Sequence, residues 1–155
     1  MPPLVPTSAD KWPPAEAPPT PTFSANMQFI IFHPTWGVPD GIKRNELAPM
    51  LRRASGDSGG LFAFFGGDSG GATRVLQRQN LVVTQNGRPV DPEKVNWSSA
   101  NRSQFSFTQP ASGRNVLGQV KFRFPNKFDV YMHDTPERHL FGGASRVFSH
   151  GCMRV

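Results

Sequence analysis

The chain has 155 residues, the length of one domain, and its apolar fraction of 37% is low for a tightly packed globule. Its 16 prolines and 15 glycines exclude a long helical bundle and indicate many turns. The formal net charge of +6 favours an anionic partner, but the basic residues are scattered, so no nucleic-acid-binding surface is expected.

The single cysteine, Cys152, excludes an internal disulfide and leaves the redox compartment open. Residues 1–22 are rich in proline and lack apolar periodicity, which predicts an extended or disordered lead-in. These residues also lack a basic segment followed by an apolar run. Neither an export signal nor a membrane-spanning segment is therefore visible.

Two elements are predicted next along the chain. MQFIIF, residues 27–32, is rich in β-forming residues and is followed by the turn-forming HPTWGVPDG, which predicts a buried strand. KRNELAPMLRR, residues 43–53, predicts a short helix. Asn45 is its predicted N-cap, and Pro49 either limits its length or lies in its first turns.

A glycine-rich segment and a hairpin follow. Residues 55–72 carry GDSGG twice around LFAFFG, which predicts a flexible loop or lid. GDSGG resembles the nucleophile segment of chymotrypsin-like proteases, but its duplication favours a low-complexity loop, so Ser58 and Ser69 are not taken as nucleophiles. Asn-Gly at residues 86–87, between two apolar stretches, predicts a tight hairpin turn.

QVKFRFPNKFDVYMHD, residues 119–134, has the clearest periodicity in the chain. Apolar and polar residues alternate on both sides of a central Pro-Asn pair, which predicts two antiparallel strands. Tyr131 and His133 share the polar face at the end of the second strand, where a functional site is expected. The residues predicted to face the core are Phe128, Val130 and Met132.

Residue types that ligate zinc are present, but their spacing does not fit a metal site. Structural zinc sites take their ligands as two close pairs. Here only His150 and Cys152 are close, while His133 and His139 are far apart from them in the sequence. No metal and no cofactor are predicted.

Cys152 is a candidate nucleophile. Attack of a thiolate on a carbonyl produces an oxyanion, which backbone amides near a glycine-flanked turn can stabilise. A free thiol has a pKa of about 8.5 and is mostly protonated at neutral pH, so it needs a neighbouring base. His133 is the candidate base. The alternative is that Cys152 is a buried and unreactive small apolar residue.

These residues carry a specific resemblance. His133, fifteen further residues and then SHGC at residues 149–152 resemble the histidine and S/T-H-G-C signature of the L,D-transpeptidase catalytic domain, the YkuD family. GRNVLGQVKFRFPNKFDVYMHDTP and GCMRV are similar to its large, lid-bearing subgroup. TPTFSANMQFIIFHPTWGVPDGIKRNELAPMLRR resembles the entry segment of that subgroup. The likeness covers residues 20–155.

The resemblance implies a mainly β fold with short helices, a partial L,D-transpeptidase-type β-sandwich with a glycine-rich lid insertion. It divides the chain into the lead-in at 1–22 and a catalytic domain at 23–155, with the lid insertion at 55–112. Members of the family usually have further strands before this domain's first segment and more chain after the cysteine motif. We therefore expect a copy that is truncated at both ends.

The resemblance also implies a reaction. Cys152 is acylated by a tetrapeptide stem of peptidoglycan with release of D-alanine, and an amine of a neighbouring stem then forms a 3→3 cross-link. His133 activates the thiol, and the backbone carbonyl of Asp134 orients its imidazole. The backbone amide of Cys152 is one oxyanion donor. The other supporting residues, which supply an oxyanion amide or shape the pocket wall, are Ser149, His150 and Gly151.

Two substrate contacts are predicted from the residues themselves. Tyr131, on the same strand face as His133, is expected to line the substrate cleft, with ordinary packing as the alternative. Arg154 suits a stem-peptide carboxylate through bidentate hydrogen bonds. A solvated surface arginine is the alternative for Arg154.

The resemblance implies peptidoglycan stem peptides and carbapenem-type inhibitors as partners, and a periplasmic or cell-envelope location. No nucleic acid and no integral membrane segment are expected. An inactive truncated remnant or a non-catalytic peptidoglycan-binding fragment is the alternative. Binding to peptidoglycan sacculi that survives Cys152→Ala distinguishes a binding fragment from an enzyme.

Overall fold

A computed structural model describes residues 20–55, 71–143 and 152–155. The chain forms two compact units, one comprising residues 1–36 and 110–155 and the other residues 37–109. Both units contain a β-sheet and the helices are short, so the prediction of a mainly β fold with short helices is confirmed. Within the described ranges, no helix is long and apolar enough to cross a membrane.

The described elements are short. In chain order, the strands are β1 (Phe29–Phe32), β2 (Trp36–Gly37), β3 (Val82–Gln85), β4 (Arg88–Pro89), β5 (Phe105–Gln109), β6 (Val120–Arg123), β7 (Met132–His133) and β8 (Met153–Arg154). The α-helices are α1 (Asp40–Ile42), α2 (Ala48–Ala54) and α3 (Gly71–Arg78), with a π-helical turn at Lys43–Leu47 and 3₁₀ turns at Pro92–Lys94, Arg102–Gln104 and Arg138–Gly142.

The first unit contains a four-stranded sheet in the order β1-β6-β7-β8. β1 pairs with β6 and β6 with β7 in antiparallel fashion, whereas β7 and β8 are parallel. The antiparallel pairing predicted within residues 119–134 is thus confirmed. Buried polar contacts brace the loop before β6, where Asn115 is fully buried and donates from Nδ2 to the carbonyls of Pro34 and Pro110, each at 3.0 Å.

The strand predicted at residues 27–32 exists as β1, but the prediction that it is buried is wrong. Phe29 is 57% exposed, Ile30 55% and Phe32 69%. β1 is at the edge of its sheet and is hydrogen-bonded on one side, to β6. The apolar run at residues 27–32 therefore indicates a preference for the strand conformation and does not indicate burial.

The second strand predicted within residues 119–134 is shorter than the alternation suggests. Asn126 organises a loop before it, donating from Nδ2 to the carbonyls of Phe124 and Val130 at 3.0 and 2.7 Å. Asp129 has a positive φ of 54°, which interrupts the two-residue period. Phe128 is consequently 43% exposed and not in the core. Of the residues predicted to face the core, Val130 is buried and Met132 is half-buried.

The helix predicted at residues 43–53 is part of a longer stretch, since α1, the π-turn and α2 follow one another without interruption. Asn45 is not its N-cap, because the stretch begins after Pro39 and Asn45 lies inside the π-turn. Pro49 has no N–H to donate to the carbonyl four residues earlier. The wider π-turn accommodates this missing hydrogen bond, and Pro49 occupies the first turn of α2.

The second unit has a sheet in the order β2-β5-β3-β4. The predicted hairpin joins β3 to β4, and the backbone φ angles of Asn86 and Gly87 are 51° and 76°. Both central residues thus have the positive φ that the tight turn requires, which confirms the prediction.

α3 occupies residues where the sequence predicts the end of a glycine-rich loop. Residues 71 and 72 are helical, and the backbone N–H of Thr73 donates to Oε1 of Glu93 at 2.8 Å. The remainder of the predicted loop, residues 56–70, is outside the described residues. The buried side chains of α3 recur at helical spacing and are Ala72, Val75 and Leu76.

Trp97 is at the centre of the second unit and is 1% exposed. Its ring centroid is 5.2 Å from that of Phe105 and 5.9 Å from that of Phe107. Its indole N–H donates to the carbonyl of Pro92 at 2.8 Å, so the one polar group of this buried ring is satisfied.

Candidate active site

The sheet of the first unit has one face lined with polar side chains. Directly paired residues share a face of a sheet. Lys121 pairs with His133, and His133 pairs with Arg154. Tyr131 and Cys152 precede His133 and Arg154 by two residues and so lie on the same face. The predicted base and nucleophile are therefore on one face of adjacent strands.

Backbone hydrogen bonds fix this register. The N–H of Met153 donates to the carbonyl of Tyr131 at 3.1 Å, and the N–H of Val155 donates to the carbonyl of His133 at 3.0 Å. Cys152 immediately precedes β8, so the parallel pairing sets the position of its Cα beside β7. A one-residue slip would move its side chain to the opposite face.

His133 is 5% exposed, and its Nδ1 is 2.6 Å from the carbonyl oxygen of Asp134. A carbonyl only accepts hydrogen bonds, so Nδ1 carries the proton and Nε2 keeps its lone pair. Burial lowers the pKa of His133, with the bond to Asp134 opposing this shift and the charges of Arg154 and Lys121 adding to it. The imidazole is therefore a neutral base at pH 7.

The loop that carries the Asp134 carbonyl is held in place. The N–H of Asp134 donates to the carbonyl of Val120 at 2.9 Å, and its carboxylate Oδ2 accepts from the N–H of Gln119 at 2.9 Å. Gly118 has a φ of 61°, and a Cβ there would be 2.5 Å from that carboxylate oxygen. Gly118 thus permits the close approach that positions Asp134, and through it His133.

The Cys152 side chain is partly exposed and contacts groups from the segment that leads into β7. Its Sγ is 4.0 Å from the carbonyl oxygen of Asp129. The Tyr131 hydroxyl contacts Cys152 and Trp36 through hydrogen bonds. Burial raises the pKa of Tyr131, and its interactions with Cys152 raise it further. Tyr131 is therefore a neutral donor beside the sulfur.

Lys121 is a site residue that the sequence analysis does not single out. Its Nζ is 3.7 Å from the centroid of the Tyr131 ring, and that ring is 5.8 Å from the His133 ring. The signal is present in the sequence, because Lys121 alternates with Phe122 and so belongs to the polar face of β6. That Lys121 lies beside the Tyr131 ring can be deduced only once the strand register is known.

Arg154 is held by Glu137, a second residue that sequence reasoning misses. Nη1 of Arg154 is 3.4 Å from Oε2 of Glu137, and the two side chains are only 12% and 17% exposed. Burial raises the pKa of Glu137, and the positive charge of Arg154 opposes that shift. The Nε of Arg154 is buried and has no hydrogen-bond partner among the residues that the structure describes. The alternative of a solvated surface arginine does not fit these exposures.

Three of the predicted supporting residues, Ser149, His150 and Gly151, lie outside the described residues. The two serines of the GDSGG repeats, at residues 58 and 69, do so as well. Within the described part of the chain, no group of three or more His, Cys, Asp or Glu residues has the arrangement of a metal site.

Comparison with known proteins agrees with this geometry. Residues 13–155 match the family model of YkuD, the L,D-transpeptidase catalytic domain. Over 136 residues the chain is 25% identical to a Haemophilus influenzae protein named "Putative L,D-transpeptidase". The aligned region covers 88% of this chain and 24% of that protein, so the chain spans about a quarter of its relative's length. Since the family model matches most of the chain, the chain belongs to the L,D-transpeptidase catalytic domain family.

Proposed function

We propose that this chain carries the active site of a peptidoglycan L,D-transpeptidase with Cys152 as its nucleophile. Membership of the family supports a role in peptidoglycan cross-linking. The observation that carries the finer proposal is the register of β6, β7 and β8, which puts Tyr131, His133 and Cys152 on one face. A substrate of this kind locates the reaction in the cell envelope.

In the first step, His133 accepts the thiol proton on Nε2, and the Cys152 sulfur attacks the carbonyl at the L-centre of the diamino acid in a tetrapeptide stem. The tetrahedral oxyanion collapses and breaks the bond to the terminal D-alanine. The amine of D-alanine leaves with the proton held by His133. A thioester on Cys152 remains.

In the second step, the side-chain amine of a neighbouring stem attacks the thioester. His133 takes a proton from this amine and returns it to the departing sulfur, which regenerates the thiol. The product has a 3→3 amide cross-link, and no proton or electron is gained or lost overall. Nδ1 of His133 stays bonded to the Asp134 carbonyl throughout, so that Nε2 remains the reactive nitrogen.

The supporting roles are part of the same proposal. The backbone amides of Gly151 and Cys152 stabilise the oxyanion, with Ser149 and His150 shaping the pocket wall. Arg154 contacts a stem-peptide carboxylate through guanidinium N–H groups that do not face Glu137. Its remaining charge is shared with Glu137, so we assign Arg154 to orientation of the substrate more than to net attraction.

Acylation by a carbapenem tests the proposal, because such β-lactams form a stable adduct on a cysteine of this type. Intact mass spectrometry of the folded protein is expected to show one added antibiotic mass. The adduct should be absent from Cys152→Ala. It should form about 10² to 10⁴ times more slowly in His133→Gln, the range for loss of a general base. His139→Gln, which changes an exposed histidine, is the matched control and should react at the normal rate.

Release of D-alanine from a synthetic stem tetrapeptide provides the test with the natural substrate class. A folded protein that forms no adduct and releases no D-alanine would refute the enzyme proposal. If that protein still bound sacculi equally well with and without Cys152→Ala, the chain would be a peptidoglycan-binding module instead.

A further inference from the structure

Lys121 is a cation at the centre of the polar sheet face, and the proposed reaction assigns it no role. It lies on β6, next to β7, which carries His133 and directly follows Tyr131. Its side chain is half-buried, and Nζ is 3.7 Å from the centroid of the Tyr131 ring. Among the residues that the structure describes, no carboxylate pairs with this ammonium group. Its positive charge therefore acts on the Tyr131 ring and, through that ring, on the groups that the Tyr131 hydroxyl contacts.

The Tyr131 ring connects this charge to the sulfur. An indole N–H can only donate, so Trp36 bonds to the phenol oxygen of Tyr131 and leaves the phenol O–H for Cys152. A cation over the face of a phenol withdraws electron density and strengthens its O–H as a donor. A stronger donor favours the thiolate over the thiol, because the thiolate is the better acceptor.

Within the described part of the chain, three neighbouring groups do not supply this effect. The carbonyl of Asp129 at 4.0 Å accepts from the thiol and so favours the protonated form. The positive charge of Arg154 is paired with Glu137, and His133 is neutral for the reason given above. Lys121 is the cation that rests on the Tyr131 ring, the ring whose hydroxyl contacts the sulfur, and no carboxylate among the described residues balances its charge.

We propose that Lys121 sets the acidity of the Cys152 thiol through the Tyr131 ring on which its ammonium group rests, and that it is a positioning residue for the nucleophile. One further observation agrees with this. The pKa of Lys121 is lowered by burial and by Arg123 and is raised in turn by Cys152, so the lysine and the sulfur interact electrostatically. The proposal rests on the role of Cys152 as the nucleophile.

Alkylation by iodoacetamide measures the thiolate directly and needs no peptidoglycan substrate. Cys152 is the single cysteine, so intact mass gives an unambiguous rate at each pH. In Lys121→Met we expect the midpoint of the pH–rate profile to rise by about one pH unit, with a rate about tenfold lower at pH 7. Lys121→Arg keeps the cation and should react within about twofold of the unmodified protein.

Lys127 offers a matched control, because it is a lysine of the same unit whose Nζ is 5.2 Å from the centroid of the Phe128 ring. Lys127→Met removes an ordinary lysine–aromatic contact and should leave the profile unchanged. A Lys121→Met profile that superimposes on that of the unmodified protein, with both folded by circular dichroism, would overturn the proposal.

Tyr131→Phe tests whether the effect of Lys121 reaches the sulfur through the Tyr131 hydroxyl. It keeps the proposal falsifiable if Lys121→Met does not fold. It retains the ring but removes the hydroxyl, so its midpoint should also rise, and an unchanged midpoint would refute the route. Adding Lys121→Met to Tyr131→Phe should then have little further effect, whereas fully additive shifts would contradict transmission through Tyr131. A shifted profile in a protein that forms no carbapenem adduct would leave this inference standing and reject the transpeptidase proposal alone.

Discussion

The two compact units use their interiors differently. Most of the buried apolar side chains belong to residues 37–109, where Trp97 packs against Phe105 and Phe107. In the described part of the other unit, polar residues are prominent in the interior, namely Asn115, His133 and Thr135. The first arrangement stabilises a fold by removing apolar surface from water. The second uses burial to fix hydrogen bonds and to shift a pKa.

Exposed apolar residues have the opposite distribution between the two units. Of the eight exposed large apolar residues in the described ranges, seven belong to the unit with the proposed site and the eighth is Val82. Buried polar groups cost free energy unless they are hydrogen-bonded. Here Asn115 and His133 each have a backbone carbonyl partner. Stabilisation by apolar burial and the proposed chemistry thus belong to different units of this chain, and three experiments test that separation.

The largest effect is expected at Trp97 in the apolar unit. Trp97→Ala leaves a cavity between two phenylalanine rings, and we expect it to lower the free energy of unfolding by about 3–5 kcal/mol. Urea unfolding followed by circular dichroism measures this. The Cys152 alkylation rate in the folded protein should not change, because the substitution removes no group from the proposed site.

Trp97→Phe is the companion variant for that experiment. It keeps most of the ring but leaves the carbonyl of Pro92 without its indole donor, so a smaller loss of about 1–3 kcal/mol is expected. A loss below 1 kcal/mol in Trp97→Ala would show that this core does not hold the unit together. An altered alkylation rate would show that the two units are not separable in function.

An intermediate effect is expected at Gly118, where structure and chemistry meet in the other unit. Gly118→Ala imposes a side chain at a φ of 61° and pushes a methyl group against the Asp134 carboxylate. We expect a loss of about 1–3 kcal/mol in stability. Carbapenem acylation should also slow, because the displaced Asp134 carbonyl no longer holds the His133 ring.

Gly113→Ala is the control within the same unit, since its φ is not positive and a Cβ there would meet nothing within 4 Å. It should change stability by no more than about 0.5 kcal/mol. Equal effects of the two substitutions would mean that the close approach of Gly118 to Asp134 is not what positions His133.

The sequence predicts more of the site than of its surroundings. Alternation alone places Tyr131 and His133 on one face, and the SHGC motif identifies the family. The partners of these residues depend on strand register, which is a long-range property. Lys121 meets Tyr131 and Glu137 meets Arg154 only because β6, β7 and β8 pair as they do, and no local pattern specifies that pairing.

The errors in the fold have local causes that the alternation hides. The Asn126 side chain forms hydrogen bonds to the backbone on both sides of it and ends the alternating pattern. The Phe128 side chain is therefore exposed. From the sequence, Pro49 is compatible with the start of a helix. In the structure the helix continues through this position because a π-turn precedes Pro49 and accommodates its missing N–H. In each case a side chain or a missing N–H redirects hydrogen bonds that a pattern of apolar residues does not describe.

The smallest expected effect is on the pH dependence of stability, and it follows from the lowered pKa of His133. Just below the ordinary histidine pKa of about 6.5, His133 binds a proton in the unfolded chain but not in the folded chain. The free energy of unfolding therefore falls as the pH drops from about 6.5 toward the folded-state pKa, by at most about 1.4 kcal/mol per pH unit from this group. At pH 7 and above, His133 contributes no slope.

Urea unfolding of the unmodified protein and of His133→Gln, between pH 7.5 and pH 5, measures this contribution as a difference. Burial raises the pKa of Glu137 and of Glu46, so these carboxyls contribute with the opposite sign at the acid end, but they are present in both proteins. Glutamine is polar and similar in size to the imidazole but does not titrate, so the comparison isolates the proton. The two stability curves should diverge below pH 6.5, the unmodified protein falling faster. Parallel curves would mean that His133 is protonated as readily in the folded protein as in the unfolded chain, and the polar interior would then not be holding it as a neutral base.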